Sequence, residues 1–314
     1  MKISLIDPLL VDDKIIEKNK KKLEDLGHEF QYFKDSAKND DEIIERLKDS
    51  DVAIITNNKF SKKVIDNTNL KLIDVAFTGY NHVDMAACEE NDIIVENASG
   101  YSDDSVAELV IGLTISIMRK FDQNNKNIFE DKSFNLLGQI IKGKTVGIIG
   151  TGKIGTRVIE LFKAFGANIL AFNRSEKDEV KNLGAKYVGL EELLKNSDIV
   201  SIHLPQNDET IGFIGKDELD LMKDKAILIN CARGPIVDNN YLAKLLNEDK
   251  LRAGIDVFDM EPPLEKDYPL RNAKNVLLTN HVGYLTEEAM KIRCEIVFDN
   301  LYKFIDGEIV NRVN

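Results

Sequence analysis

The chain predicts an α/β protein made of parallel sheets, and three observations carry that prediction. Short apolar runs rich in β-branched residues alternate with helical patterns from end to end. Near the middle, residues 144–155 read KTVGIIGTGKIG, a strand, a glycine turn and a helix start in succession. Three later runs each lead into a loop that carries Arg, Glu or His. Alternation of strand and helix signals builds parallel βαβ units. At 314 residues the length suits about two domains of ordinary size.

In chain order, residues 1–98 supply strands at 3–6, 52–55, 72–76 and 93–95, and a helix over 15–26 that Gly27 ends. This stretch has no phosphate-binding glycine set, but FTGYNHVD follows directly after the strand at 72–76. Ligands of open α/β sheets sit beyond the carboxyl ends of strands. Gly79 can therefore bring a backbone N–H against a small anion, although a plain turn fits the local residues equally well. Residues 100–120 read as one long helix that Ser102 or Asp103 can cap. Its face of Val106, Leu109, Val110, Leu113, Ile117 and Met118 is broad enough to be buried between domains or at a subunit interface. Residues 121–143 are more polar and read as a short helix and a loop.

In the central motif, Val146, Ile148 and Ile149 form a buried parallel strand, and Ile154, Val158, Ile159, Leu161, Phe162 and Phe165 recur at helical spacing. Gly150, Gly152 and Gly155 lie between them in G-x-G-x-x-G spacing. The first allows the tight turn, the second lets the backbone approach a pyrophosphate, and the third lets helix and strand pack closely. The helix N-terminus offers free N–H groups and partial positive charge to phosphates. The motif is weak alone and strong in a strand–turn–helix context. The next strand, 169–172, ends at Asn173-Arg174-Ser175, where a dinucleotide fold usually keeps a carboxylate for the adenosine ribose, roughly 20 residues past the glycines. Without that acid, Arg174 and Ser175 can receive a 2′-phosphate, so the local chemistry leans towards NADP.

Strands at 198–203, 226–230, 251–255 and 276–279 follow, then a terminal helix over 286–306 with Ile292, Ile296, Val297, Leu301 and Phe304 on its apolar face. The last three strands run into CARGPIVD, DVFDMEPP and NHVGYLT, and so deliver Arg233, Glu261 and His281. A guanidinium fork binds a carboxylate bidentately and polarises a neighbouring carbonyl. Histidine is the usual general acid/base near neutral pH, and His281 is one of only four in the chain. Glu261 can hold it in one tautomer and favour its charged form. Singly, each of the three is an ordinary turn residue. Their common placement at one sheet edge, with a nucleotide motif in the same alternation, is what marks a site.

Composition narrows the alternatives. A net charge of −12 disfavours a sequence-independent grip on nucleic acid or an anionic membrane. No apolar run approaches the ~20 residues of a membrane span, and the N-terminus lacks the apolar core of a signal peptide. Cys88, Cys231 and Cys294 are scattered, with no metal-ligand spacing, and read as reduced thiols of a cytoplasmic protein; no metal is expected.

With TGYNHVD, GYSDDSVAE, GKTVGIIGTGKIG, VSIHLP, NCARGPIVD, AGIDVFDMEPP and NHVGYLTEEA in that order, nearly the whole chain resembles the D-2-hydroxyacid dehydrogenases. The tail looks closest to the glycerate dehydrogenase/hydroxypyruvate reductase branch. The resemblance implies two doubly wound domains, a Rossmann cofactor domain (99–283) inserted in a flavodoxin-like substrate domain (1–98 and 284–314). Helices near 101–120 and 286–306 would cross between them, with the active site in the cleft. It implies NAD(H) or NADP(H) as cofactor, a 2-oxo acid or D-2-hydroxy acid as substrate, and a homodimer formed through the cofactor domain.

By motif position the resemblance gives Arg233 to the substrate, His281 to proton transfer and Glu261 to its support. It assigns Thr78, Gly79 and Tyr80, with Arg233, to substrate binding. Cofactor contacts would come from Val106, Gly150, Gly152, Lys153, Ile154, Gly155, Asn173, Arg174, Ser175, His203, Pro205, Cys231, Ala232 and Asp256, the last meeting the nicotinamide carboxamide. The chain departs from the pattern in having Asn280 where the family usually has Pro, Asn173 in place of the usual Asp, and no Trp in 121–143. Asn57, Asn58 and Tyr80 do not fix the pocket size, so a branched or aromatic 2-oxo acid competes with hydroxypyruvate and glyoxylate. The alternatives of another class are an NAD(P)-sensing, corepressor-like binding protein and a catalytically dead scaffold on the same fold.

Overall fold

Four-residue apolar runs set the first sheet. β1 (Lys2–Leu5), β2 (Glu29–Tyr32), β3 (Val52–Ile55), β4 (Leu72–Val75) and β5 (Ile94–Asn97) pair in parallel in the order β2-β1-β3-β4-β5. β3 and β4 are buried along their whole length, as strands covered on both faces must be. The order reverses between β1 and β3, and there Asp7 receives the Thr56 N–H (3.0 Å) and the Asn58 amide. A computed structural model describes residues 1–132 and 136–314; residues 133–135 of the predicted loop lie outside the described residues.

The second sheet holds β6 (Thr145–Ile149), β7 (Asn168–Phe172), β8 (Ala185–Tyr187), β9 (Ile199–Ile202), β10 (Ile227–Asn230), β11 (Arg252–Ile255) and β12 (Val276–Leu278). All pair in parallel in the order β12-β11-β10-β9-β6-β7-β8. Its direction reverses between β6 and β9, so the glycine turn after β6 opens at the switch point where such sheets bind ligands. The sequence reading lacked β2 and β8. Both are edge strands with partly exposed polar side chains (EFQY and AKY), so neither shows an apolar run.

The chain divides into two compact units, residues 1–102 with 285–314, and residues 103–284. The first boundary lies four residues beyond the one expected from the motifs. The reason is Tyr101, which meets Phe77 edge-on at 6.2 Å between centroids and lies under the Arg293 guanidinium, both in the first unit. In the second unit, helix Asp103–Arg119 buries Val106, Val110, Leu113 and Met118 against helix Lys153–Ala164 and strands β10 and β11. The apolar face of this helix is thus taken up in the unit's own core.

The terminal helix, Glu287–Ile305, is capped by the Thr286 hydroxyl. Its buried face keeps Val297 and Leu301 of the expected one but is shifted away from Ile292, with Ile296 and Phe304 only half-buried. Ile292 is 44% exposed, while Met290, Cys294, Val297, Phe298 and Leu301 are buried together with Arg293 and Asn300. Two polar anchors turn the helix. Arg293 donates to Leu9 O (2.7 Å), and the Asn300 amide donates to Asp74 Oδ1 (3.1 Å) and Asn97 O (3.2 Å). Leaving these groups unpaired in the core would cost more than exposing one isoleucine.

Candidate active site

Close packing dictates the glycine turn. Gly150 has φ +96°, and a Cβ there would stand 2.4 Å from His203 O. A Cβ on Gly155 would stand 2.0 Å from Gly150 O, so the helix could not approach the strand. At Gly152 a Cβ would meet nothing within 4 Å, which leaves open space over the turn. Gly152 is also the N-cap of helix Lys153–Ala164 and supplies no side-chain cap, so the first-turn amides at Lys153 and Ile154 are left to an anion. These features fit the diphosphate of a dinucleotide.

Around the turn, the Asn173 side chain accepts from Thr151 N–H (3.3 Å) and donates to Ser175 O (2.8 Å), fixing the end of β7. Arg174 pairs with Glu209 at 3.0 Å on the surface. His203 hydrogen-bonds Ser201 Oγ through Nε2 (2.9 Å), and burial pushes its ring down to about 3. It is therefore a neutral support beneath Gly150. Pro205 O accepts from the Thr210 hydroxyl (2.7 Å) and holds the loop after β9. Val106 is buried in the first turns of its helix.

The ends of β10, β11 and β12 are laced together. Asn230 Oδ1 accepts from Ala232 N–H and its amide donates to Arg233 O, both at 3.0 Å, which shapes the turn that presents Arg233. The guanidinium donates to Ala232 O (2.7 Å). Burial and the nearby Asp256 push the Cys231 thiol far up, so it is no nucleophile. A Cβ on Gly234 would lie 2.0 Å from the carbonyl carbon of Phe258, so only glycine lets the Arg233 turn rest on the loop after β11. The Asn239 amide spans the two loops, donating to Gly234 O (3.2 Å) and Asp259 Oδ1 (3.0 Å). Tyr268 donates its hydroxyl to Asp259 Oδ2 (3.0 Å). Glu261 follows two residues later.

His281 sits in left-handed backbone (φ 52°) and donates from Nδ1 to Glu261 Oε2 (2.8 Å) and Oε1 (3.1 Å). The carboxylate accepts, so Nδ1 carries the proton and Nε2 is the working nitrogen. Tyr284 meets the imidazole edge-on at 5.6 Å. Asp256 is buried beneath this turn. Its Oδ1 accepts from the Thr279 hydroxyl (2.6 Å) and Val282 N–H (2.8 Å), and its Oδ2 from Gly283 N–H (2.8 Å). Arg233, Glu261 and His281 thus stand on three neighbouring strand ends of one sheet, with Glu261 and His281 in contact.

In the first unit, Thr78 O accepts from the Asn97 amide (2.8 Å) and Tyr80 O from Val83 N–H (3.0 Å), which holds Thr78, Gly79 and Tyr80 in a fixed loop beyond β4. Sequence reasoning missed the supporting residues Asn230, Asn239, Asp259, Thr279 and Asp7. Asn230 acts within its own turn and carries no apolar or charge signal; Asn239, Asp259, Thr279 and Asp7 reach partners on other segments, so no local spacing reveals them. Among the described residues, no group of three or more His, Cys, Asp or Glu is placed to hold a metal ion, and no helix is long and apolar enough to cross a membrane.

Comparison with known proteins decides the family. Residues 111–283 match the model of the D-isomer specific 2-hydroxyacid dehydrogenase, NAD binding domain. The chain belongs to the D-isomer specific 2-hydroxyacid dehydrogenase family. Three relatives of this dehydrogenase chain are a glyoxylate reductase, a hydroxypyruvate reductase and a D-3-phosphoglycerate dehydrogenase. The first, from Thermococcus litoralis, is 36% identical over 85% of this chain and 84% of its own length. The second, from Blautia hydrogenotrophica, is 33% identical over 94% of each. The third, from Methanocaldococcus jannaschii, is 37% identical over 97% of this chain, which spans only 59% of that longer protein.

Solved structures similar to this family member include an acyclic imino acid reductase in complex with NADPH and D-Arg (TM-score 0.89, 30% identity, all of both chains covered). Another is the NAD-dependent formate dehydrogenase of Staphylococcus aureus in complex with NAD (TM-score 0.85, 29% identity, 100% of this chain and 99% of the other). The dehydrogenase family and its two parallel sheets, one of flavodoxin-like and one of Rossmann strand order, agree with the resemblance read from the motifs, and oxidoreductase relatives do not favour the non-enzymatic alternatives.

Proposed function

We propose that this protein is a nicotinamide-dependent reductase of small 2-oxo acids, glyoxylate and hydroxypyruvate foremost, acting in reverse on the D-2-hydroxy acids. The observation that carries the reading is the His281–Glu261 pair at 2.8 Å, on the two strand ends beside that of Arg233, in the sheet that also holds the glycine turn. The relatives named glyoxylate reductase and hydroxypyruvate reductase support the substrate class.

When bound, a reduced nicotinamide supplies a hydride for the carbonyl carbon. The amides at the start of helix Lys153–Ala164 and the open face of Gly152 hold its diphosphate. Arg233 binds the substrate carboxylate bidentately and polarises the adjacent carbonyl. His281 delivers the proton from Nε2 to the carbonyl oxygen as charge develops there, while Glu261 stabilises the imidazolium through Nδ1. In the reverse direction the neutral Nε2 takes the hydroxyl proton.

Cofactor choice follows the end of β7. Among the described residues, Arg174 is paired in a surface bridge to Glu209, worth about 0–1 kcal/mol, so a 2′-phosphate can displace that partner. We read NADPH as the favoured cofactor. We also read a homodimer through the second unit, because Phe121, Ile128, Phe129, Leu137 and Ile140 are large apolar side chains left exposed within one short stretch.

The test is oxidation of NADH and NADPH side by side with glyoxylate, hydroxypyruvate, pyruvate and branched or aromatic 2-oxo acids. Turnover of glyoxylate or hydroxypyruvate, lost in His281→Asn, is the expected result. Tight cofactor binding with no turnover of any acid would overturn the reading.

A further inference from the structure

Two of the loops that carry the site meet at one buried side chain. Asn239 opens helix Asn239–Asn247 and is 3% exposed. Its amide nitrogen donates to Gly234 O (3.2 Å), next to Arg233, and to Asp259 Oδ1 (3.0 Å), two residues before Glu261. Both donors of the amide are thereby used. Among the described residues, Asn239 Oδ1 has no hydrogen-bond partner, although it is sealed from solvent. Leaving a buried oxygen unpaired is costly. The opposite orientation of the amide would set that oxygen against a carbonyl and a carboxylate. The position therefore requires two donors on one nitrogen and accepts an orphaned oxygen to have them.

Glu261 depends on such a tie. Its carboxylate is largely exposed, and its hydrogen bonds run to His281. It can hold His281 in place only if its own loop is fixed from behind. Asp259 does this. Its Oδ1 takes the Asn239 amide, and its Oδ2 takes the hydroxyl of Tyr268 (3.0 Å), a buried ring that meets Phe258 edge-on at 5.8 Å. From the other side, the Arg233 turn rests on Phe258 through Gly234. The two loops thus touch at Gly234 and are locked by hydrogen bonds at Asn239.

We propose that Asn239 is a positioning residue, the centre of a lock with Asp259 and Tyr268 that fixes Arg233 and Glu261 relative to each other. The inference rests on the reading of Arg233 as the substrate-carboxylate group and of Glu261 as the support of His281. A 2-oxo acid is held by its carboxylate while its adjacent carbonyl oxygen takes a proton. The spacing of the two loops therefore sets the rate as well as the affinity.

Asn239→Leu keeps a similar volume and removes both donors. Gly234 O still accepts from Val237 N–H (3.2 Å) and Asp259 is exposed to water, so the variant should fold. Misplacement of a catalytic group by an ångström costs about 100-fold in rate, so kcat/KM for glyoxylate or hydroxypyruvate should fall by about ten- to a hundredfold. The fall should be shared between a lower kcat and a higher KM, because both loops are released. The dissociation constants of NADH and NADPH, read by fluorescence, should stay at their wild-type values. Asp259→Ala should show the same pattern. Asp259→Asn should recover most of that loss, since its side-chain oxygen still accepts from Asn239 and the Tyr268 hydroxyl can turn to accept from its amide. Tyr268→Phe removes one hydroxyl from the lock and carries the test if Asn239→Leu does not fold.

The deciding measurement places Asn239→Leu in a Glu261→Gln background. A residue that lowers kcat by moving Glu261 has less to disturb once that carboxylate is gone, so kcat should fall by less there than in the wild-type protein. An equal fall in both backgrounds would overturn the proposal, and so would wild-type kcat/KM in folded Asn239→Leu and Tyr268→Phe. Either result leaves Arg233 and Glu261 in the mechanism. Wild-type kinetics in Arg233→Ala and Glu261→Gln themselves would instead remove the reading beneath the lock, and the lock with it.

Discussion

His281 Nδ1 stands 2.8 Å from Glu261 Oε2 although the two residues are twenty positions apart and on different loops. The carboxylate is largely exposed, whereas the histidine is mostly covered. Glu261 therefore acts on its partner by charge and orientation rather than by burial. Hydrogen bonds to charged groups contribute about 1.5–3 kcal/mol, so Glu261→Gln should lower kcat by about ten- to a hundredfold. Glu261 is read as touching His281 alone, so the NADH dissociation constant should not move. Steady-state kinetics with equilibrium cofactor titration separates the two. An unchanged kcat would take Glu261 out of the mechanism.

Arg174 offers a sharper test of cofactor choice. It is among the more exposed arginines of the chain and pairs with Glu209 at 3.0 Å. A charge-assisted contact to a 2′-phosphate contributes about 1.5–3 kcal/mol, so Arg174→Ala should raise the KM for NADPH about ten- to a hundredfold. The KM for NADH should be untouched. Glu209→Gln removes the competing carboxylate and should improve NADPH use alone. Equal effects on both cofactors would mean that Arg174 does not read the 2′ position.

What could be read from the sequence follows a physical division. The glycine turn was legible because strand, turn and helix are contiguous, and Gly150 and Gly155 are required by contacts within the same short segment and its neighbour His203. Arg233, Glu261 and His281 were legible because each lies in the loop that follows a short apolar strand. The supports were not. The family resemblance gave Asp256 to the nicotinamide carboxamide, and only the fold brings Thr279, Val282 and Gly283 onto it. The same holds for the terminal helix, where apolar spacing favoured Ile292 and two buried polar anchors, Arg293 and Asn300, overrode it. Edge strands β2 and β8 escaped because a half-exposed strand has no continuous apolar run.

The first unit holds a pH dependence of its own. Asp74 on β4 is register partner to Glu96 on β5, so two carboxyl groups lie side by side on strands about 4.8 Å apart. Both are sealed from solvent. Among the described residues, Asp74 Oδ2 and Glu96 Oε2 have no hydrogen-bond partner, while Glu96 Oε1 accepts from Val310 N–H (2.8 Å) and so holds the C-terminal segment. Burial raises both groups, Asp74 well above the usual carboxylate range and Glu96 to about 7. An acid raised in the folded state keeps its proton there while the unfolded chain loses it. Its contribution to stability is therefore full below the ordinary glutamate value of 4.5 and is lost as pH rises through about 7. Glu96 alone can impose a fall of up to about 1.4 kcal/mol per pH unit across that window. Glu96→Gln keeps the acceptor for Val310, removes the ionisation and places an amide donor toward Asp74. Melting curves taken at intervals from pH 4.5 to 8 should show the wild-type protein losing stability relative to Glu96→Gln as the pH rises, with the gap largest at pH 8. A gap that stays constant across the range would show that Glu96 is already ionised in the folded protein at the acid end, and that the pair holds no proton.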